Sequence, residues 1–553
     1  MKTIIQFSLI SSIVGTLAAL GSFVPAQAAQ TINFITSSPL KFSLSISSLE
    51  TFAADGTIDR SLADYMRFAG ANEEEKERFR EILLRRAEIN PIVLSRLLRT
   101  EMGEDMLSRW GQHIAIQGGR NGKYALRGAL IKSAFDDNGL SLINVLRYLP
   151  TNIEIDLRRA LSLANKVDLI ITATNFFHDE IFQLAQQEVV NASPIDFTKL
   201  PDLRLPGELA VVKKRWELKD SSRDRSFEVD LYQPKKWPAD QAPVVIISHG
   251  LSSSPQHFAD YAEHLASYGY LVAVPQHPGS DSQQLQALKV GLSRQIFFTN
   301  EFVDRPQDIS YVIDELERRN KADFAGKLRL NRVAVIGHSF GGYTALAISG
   351  ATIDFDYLKQ ECEGYLNLSL LLQCRALTLE LKTDNLKDKR IKAIGITNPV
   401  KSAIFGPSGL ASVSLPVFVQ AGVYDPLTPF VLEQVRPFPW LNTPNKYLSV
   451  REGDIHVNIS QMDAGIVSLI DSFAYLSLPE PALLTSYNQA FLLAFLEVHL
   501  LGNENFRPYM QSAYAEYLSQ GEEFKNFLIT NASVKGLEEA ITRFLDQHPS
   551  LDF

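Results

Sequence analysis

Cysteine, basic charge and long apolar runs are what this 553-residue chain has least of. There are 2 cysteines, and neither a C-x-x-C nor an H-E-x-x-H pair, so metal centres built on those patterns have no ligand set; a metal at His277-Pro278-Gly279-Ser280-Asp281 is not expected either, because that stretch ends a strand like an ordinary turn. Lys and Arg number 54 against 63 Asp and Glu, a formal charge of −9. Nucleic acid is excluded as a main partner on that balance, since phosphate binding needs clustered cations. The same charge argues against adsorption to an anionic membrane. Past the first residues no run approaches the ~20 apolar residues of a membrane span, so no integral span is expected once a leader is removed. No internal repeat or low-complexity tract occurs. What remains is ordinary for a globular chain, 45% hydrophobic and 21% charged, and the length suits two domains or one large one with additions.

The N-terminus reads as an export signal, residues 1–28. Lys2 gives a short positive start, Ile4 to Leu20 is apolar and broken only by small or polar residues, and Ala26-Gln27-Ala28 is a small-x-small cleavage site. An uncleaved N-terminal anchor is the alternative. Cleavage after Ala28 also removes Lys2 and leaves the mature chain one unit more negative. The expected location is exported, periplasmic or extracellular. In such an oxidising space Cys362 and Cys374, twelve residues apart, are read as a disulfide rather than as two buried thiols. A loop of that length stabilises by ~3 kcal/mol in the chain-entropy model.

Residues 29–200 read as an all-α N-terminal domain. Asn72 is a suitable N-cap before Glu73, Glu74 and Glu75, and Phe79, Ile82, Leu83 and Ala87 share a face. Asn90-Pro91 opens another helix, with Leu94, Leu97 and Leu98 as its stripe. Amphipathic stretches follow near 122–136, 139–148, 154–165 and 167–190. No catalytic constellation falls in this region, and it is read as a domain or cap. From 201 to 553 the texture is α/β. Arg215 to Leu218 and Phe227 to Tyr232 read as two strands around a polar turn. Apolar runs then alternate with helical segments: Val244 to Ser248, Leu271 to Pro275, Arg332 to Gly337, Ile391 to Ile396, Val417 to Ala421 and Tyr447 to Val450. Helices are expected at His257 to Tyr268, Arg305 to Arg319 and Gly342 to Ser349, and again after 480. Short apolar strands separated by helices imply a doubly wound, mostly parallel sheet.

One strand carries the chemistry. Val333-Ala334-Val335-Ile336 runs into Gly337-His338-Ser339-Phe340-Gly341-Gly342, and a helix follows. A serine at such a turn sits in strained backbone, and its neighbours must be small so that strand and helix can approach. Its hydroxyl needs a base. In the strand-turn-helix architecture the partners follow in the order serine, acid, histidine. Of ten histidines, His456, His499 and His548 lie beyond the serine and a suitable acid. His499 is inside a helical pattern and His548 is in the tail, whereas His456 follows a strand and a polar loop. Asp425, at the end of the strand Pro416 to Gly422, is the preferred acid, and Asp454 is its rival. Two N–H donors must hold the developing oxyanion. Phe340, directly after the serine, offers one. Leu251, in the turn after Val244 to Ser248, offers the other, and Gly250 lets the backbone come close. His249 and His338 flank these positions and are read as packing or hydrogen-bonding residues.

Residues of about 210–500 resemble the branch of α/β-hydrolases that holds platelet-activating-factor acetylhydrolase and relatives similar to dienelactone hydrolase. The resemblance is carried by Ser248-His249-Gly250, Pro275-Gln276-His277-Pro278-Gly279-Ser280, Arg305-Pro306-Gln307-Asp308-Ile309, Gly337 to Gly342, and Gly422 to Pro429 with His456. It implies an α/β-hydrolase fold and nucleophile, acid and base at Ser339, Asp425 and His456. Gly-His-Ser-Phe-Gly-Gly is the acetylhydrolase form, while dienelactone hydrolases proper use a cysteine. The region of about 30–190 resembles an N-terminal domain of unknown function found on cyanobacterial hydrolases.

The expected function is therefore a serine carboxylic-ester hydrolase, acetylhydrolase- or lipase-like, needing no cofactor and acting on a small-molecule or lipid ester. An amidase or peptidase using the same three residues is the rival within enzymes. A catalytically silent binding protein, or a helical region acting as a docking module, is the rival outside them. The insertion 351–390 carries both cysteines and Leu366, Leu368, Leu370, Leu371 and Leu372. Those leucines are read either as part of a lid lining an acyl pocket or as packing on the helical domain.

Overall fold

The computed structural model describes residues 28–36, 42–68, 70–237, 241–364, 366–380, 386–456 and 478–549. Of the expected leader, residues 1–28, all but Ala28 lies outside them. Among the described residues no helix is long and apolar enough to cross a membrane. The chain divides into two compact units, one ending at Leu163 and the other beginning at Ala164.

The first unit is mostly helical, and its caps follow the sequence. Asn72 accepts from Glu75 N–H at 2.9 Å while Glu75 reaches back to Asn72 N–H at 2.8 Å, a reciprocal capping box at the head of Glu73–Leu84. Asn90 accepts from the N–H groups of Ile92 and Val93, and Pro91 opens Pro91–Leu97. Leu49, Phe52, Leu83, Leu107 and Ala129 are buried in its core. The expectation of an all-α region needs one addition: a five-stranded sheet of short strands. The longest are Thr31–Ile35, Phe42–Ser45 and Ile153–Asp156. Each alternates apolar with polar residues over only four or five positions, too briefly to stand out against the longer helical periods beside it.

The second unit is built on nine strands, with the order β9-β8-β7-β6-β5-β3-β4-β2-β1. In chain order they are β1 (Val211–Asp220), β2 (Arg225–Pro234), β3 (Ala242–Ser248), β4 (Leu271–Pro275), β5 (Leu328–His338), β6 (Ile391–Thr397), β7 (Val417–Gly422), β8 (Lys446–Arg451) and β9 (Asn526–Thr530). From β4 across to β8 every neighbouring pair is parallel. The β1–β2 hairpin and β9 close the two edges in antiparallel fashion. All residues of β3, β7 and β8 are buried, as expected of parallel strands covered on both faces.

The order has one consequence for function. β3 pairs with β4 on one side and β5 on the other. The chain leaves β3 in one direction and returns on its far side, a topological switch point. Open α/β sheets bind ligands in the crevice beyond the strand ends at such a point. Here the loops that follow are Ser248-His249-Gly250-Leu251 and His338-Ser339-Phe340, and Ser248 stands opposite Gly337 in register.

Two stretches near 154–165 and 167–190 are one continuous helix, α1 (Leu157–Asn191), led by the strand Ile153–Asp156. Its C-terminal part buries Ala173, Phe177, Ile181 and Ala185. Phe182 meets Phe527 of β9 at 5.1 Å between ring centroids, and Glu188 accepts Thr530 N–H at 2.9 Å. β9 was not foreseen. It is a five-residue edge strand behind a long helical stretch.

Candidate active site

β5 ends in the turn that carries Ser339, and α2 (Phe340–Ser349) begins directly after it. Ser339 has φ 55° and ψ −116°, a conformation that costs a non-glycine residue on the order of 1–3 kcal/mol. The surroundings hold it there. Ser339 N–H donates to Thr397 O at 3.0 Å, and Ser339 O accepts from Gly342, Tyr343 and Val400 N–H at 2.9, 3.2 and 3.2 Å. The flanking glycines are required by space. A Cβ on Gly337 would lie 2.0 Å from Gly341 O, and one on Gly341 would lie 1.9 Å from Ser248 O.

The structure brings Ser339, His456 and Asp425 into one hydrogen-bonded chain. The Ser339 hydroxyl is 2.7 Å from His456 Nε2, and His456 Nδ1 is 2.7 Å from Asp425 Oδ2. Asp425 follows β7 and His456 follows β8, so all three come from the same end of the sheet. Asp425 accepts three more hydrogen bonds: Oδ1 takes the N–H groups of Leu427 and Thr428 at 2.8 and 2.9 Å. Thr428 Oγ1 donates to Oδ2 at 2.6 Å. The rival acid Asp454 is turned to another partner, the guanidinium of Arg451, and its main-chain O accepts Tyr424 N–H at 3.1 Å. The other two histidines also lie elsewhere. His499 Nε2 is 2.9 Å from Tyr447 Oη, and burial pushes that imidazole down to about 4. His548 packs on Phe544.

Leu251 and Phe340 flank the serine on the two sides of the switch point. A Cβ on Gly250 would lie 3.3 Å from Ser339 Cβ, so that turn runs against the elbow. No hydrogen bond among the described residues engages the N–H of Leu251 or of Phe340. Ser252, the next residue of the turn, takes φ 59° and donates its N–H to Ser280 O at 2.7 Å.

Three partnerships lay beyond the sequence reading. Thr428 braces the acid; the Asp-x-x-Thr spacing of an Asx turn is the local signal that could have found it. His338 donates from Nε2 to the main-chain O of His456 at 2.6 Å and so clips the loop of His456 to the elbow. Burial drives the His338 imidazole down to about 3, which keeps it neutral. His277 is not an ordinary turn residue. Its Nδ1 donates to Asp308 at 2.9 Å and its Nε2 accepts from Ser248 Oγ at 3.0 Å. Serine, histidine and aspartate therefore meet a second time, but all three are fully buried and Asp308 is held by Arg223 and Arg225. No substrate carbonyl can reach Ser248, so this second chain is structural.

Residues 28–156 match the family described as alpha/beta hydrolase of unknown function (DUF1400), and residues 225–288 match platelet-activating factor acetylhydrolase, isoform II. The nine-stranded sheet agrees with both descriptions. The chain has an α/β-hydrolase fold. The first match covers most of the first compact unit. The second runs from β2 through the Gly250–Leu251 turn and His277 and ends before the elbow, so the arrangement of Ser339, Asp425 and His456 stands on geometry. No curated protein matches the chain. Among the described residues no group of three or more His, Cys, Asp or Glu side chains is disposed to hold a metal ion.

In the insertion, Cys362 and Cys374 form a disulfide, with their Cα atoms 5.9 Å apart. Leu370 and Leu372 are buried, while Leu368 is 39% exposed. The buried carboxylate of Glu433 accepts from Asn367 Nδ2, Ser369 Oγ, Gln373 Nε2 and Ser402 Oγ at 2.6–2.8 Å. Gln373 Oε1 takes the N–H groups of Ala403 and Ile404. Asn367, Ser369 and Gln373 thus tie the leucine segment to Glu433 and to the start of Ser402–Ala411 in its own unit.

Proposed function

We propose that this α/β-hydrolase is an exported serine carboxylic-ester hydrolase, acetylhydrolase- or lipase-like, with Ser339 as nucleophile, His456 as base and Asp425 as its orienting acid. The observation that carries the reading is the pair of 2.7 Å contacts that joins Ser339 Oγ, His456 and Asp425 at the strand ends. Export is supported by the apolar leader pattern and by the disulfide, which suits an oxidising space.

In this reading Ser339 Oγ attacks the ester carbonyl carbon while His456 Nε2 takes the hydroxyl proton. The carbonyl oxygen becomes an oxyanion and is held by the N–H groups of Leu251 and Phe340. Asp425 keeps the proton of the neutral imidazole on Nδ1 and stabilises the imidazolium that forms. The tetrahedral intermediate collapses, the C–O bond to the alcohol breaks, and His456 returns its proton to the leaving alkoxide. Water then attacks the acyl-enzyme with His456 again as base. The carboxylic acid leaves and Ser339 regains its proton. No cofactor enters any step.

Turnover of p-nitrophenyl esters from acetate to laurate, beside matched anilides, tests the reading. Ester cleavage, covalent labelling of Ser339 by an organophosphate, and a rate loss of ~10⁴-fold or more in Ser339→Ala are expected. Preference for the anilides would make the enzyme an amidase. Neither turnover nor labelling would leave a binding protein with the hydrolase fold.

A further inference from the structure

Behind the Gly250–Leu251 turn lies a buried pair that the Ser339–His456–Asp425 chain does not use, His249 and Arg305, both 0% exposed. The partners of His249 fix its tautomer. Its Nε2 accepts the main-chain N–H of His277 at 3.1 Å, so that nitrogen carries no proton. The proton sits on Nδ1, which donates to Gly250 O at 2.7 Å. Burial first, and the nearby charge of Arg305 second, push the imidazole well below its ordinary range and keep it neutral.

The carbonyl of Gly250 and the N–H of Leu251 belong to the same peptide unit, and no peptide bond here is cis. In a planar trans peptide the C=O and N–H point in opposite directions. Holding the oxygen on His249 therefore turns the Leu251 N–H to the other side of the strand end. At a glycine this restraint matters most, because no Cβ limits rotation of the adjoining peptides.

Arg305 acts on the neighbouring peptide. Its Nη2 donates to His249 O, and its Cζ lies 4.5 Å from the centroid of the Phe340 ring. It thus touches both oxyanion positions, the turn before Leu251 and the side chain of Phe340. Its Nε and Nη1 have no hydrogen-bond partner among the described residues. Burial lowers its pKa to about 10, which still leaves it charged at neutral pH. A buried cation with idle donors is costly, and the fold accepts that cost at this point.

We infer that His249 and Arg305 are positioning residues for the oxyanion pocket: together they fix the peptides around Gly250 and the ring of Phe340, and so aim the two N–H donors at one point. The inference rests on the ester-hydrolase reading above. Its test uses the full mature chain, p-nitrophenyl butyrate as substrate, and a butyl trifluoromethyl ketone as a mimic of the tetrahedral oxyanion. Misaiming one donor should approach the effect of losing it, so His249→Leu should lower kcat ~10²-fold with KM within about threefold of the parent. His249→Asn, whose amide N–H takes the place of Nδ1–H, should recover about tenfold of that loss. Arg305→Met should lose ~10-fold or more in kcat, and Arg305→Lys should lose less. Affinity for the ketone should fall in proportion to kcat/KM, because a ligand that mimics the transition state reports the pocket itself.

A purely structural role would instead lower the unfolding temperature of all variants and leave ketone affinity intact in those that fold. Unchanged kcat in the Leu and Met variants, or lost kcat with unchanged ketone affinity, overturns the inference. If either of those variants does not fold, the Asn and Lys variants decide by the same ketone comparison. A parent protein with no ester turnover removes the hydrolase reading and this inference together. A parent that turns over, with variants that do not differ from it, removes this inference alone.

Discussion

Replacing Asp425 by asparagine changes almost no volume and asks whether the carboxylate sets the proton on His456. Asp425 is buried and accepts from Leu427 and Thr428 N–H on Oδ1, and from Thr428 Oγ1 and His456 Nδ1 on Oδ2. The two main-chain donors on the Oδ1 side cannot turn away. An amide NH2 placed there would meet them head on, so the amide oxygen must take that side. The NH2 then faces His456, whose Nδ1 has to accept, and the imidazole proton moves to Nε2. That places an N–H against Ser339 Oγ at 2.7 Å and leaves no base for the hydroxyl. The expected loss in kcat is ~10⁴-fold, or about 5.5 kcal/mol, with KM and unfolding temperature little changed. Asp454→Asn is the control, since Asp454 is the other acid near the loop. Its carboxylate pairs with buried Arg451. Removing that charge should cost stability, about 3 kcal/mol, while kcat changes by less than about tenfold. Steady-state turnover of p-nitrophenyl acetate and thermal unfolding by circular dichroism read both effects. A residual rate above about a tenth of the parent's in Asp425→Asn, or a larger loss of kcat in Asp454→Asn, would refute the assignment of the acid and the tautomer argument behind it.

Other perturbations probe the frame around this chain. Gly341→Ala puts a methyl 1.9 Å from the main-chain O of Ser248 and should destabilise by about 3 kcal/mol or more, seen as a fall in the urea midpoint; an unchanged midpoint would mean that the elbow has room it does not show. Serine at both Cys362 and Cys374 opens the loop of twelve residues, and about 3 kcal/mol of stability should go with it, whereas equal melting with and without reductant would show the bridge to be idle. His178 on α1 lies 2.8 Å from Glu452, and the hydrogen bond to that carboxylate raises the imidazole above its usual 6.5. A raised histidine stabilises the fold below its unfolded pKa and loses that contribution as pH climbs through the raised value. The stability lost in His178→Phe should therefore be about 1 kcal/mol near pH 6 and fade toward pH 9, and a difference that grows with pH would contradict the pairing.

Residues that meet a local demand were readable from the chain, and residues defined by a distant partner were not. The central strands stand out because both faces are buried, which turns Val244 to Ile247 and Val417 to Val419 into unbroken apolar runs. The elbow stands out because contacts of 2.0 and 1.9 Å leave no room for a Cβ at Gly337 or Gly341, so the glycine spacing records the packing. Chain order then pointed to Asp425 and His456. By contrast, Arg305 acts on a carbonyl 56 residues away, and His338 on one 118 residues away. Nothing in the neighbourhood of either residue states that role. β9 and the short strands of the first unit escaped for a related reason: their pairing, rather than their own few residues, makes them strands. The switch point between β3 and β5 joins the two kinds of information. It sets two separately readable turns side by side, and the buried side chains that align them become visible only once the sheet has brought those turns together.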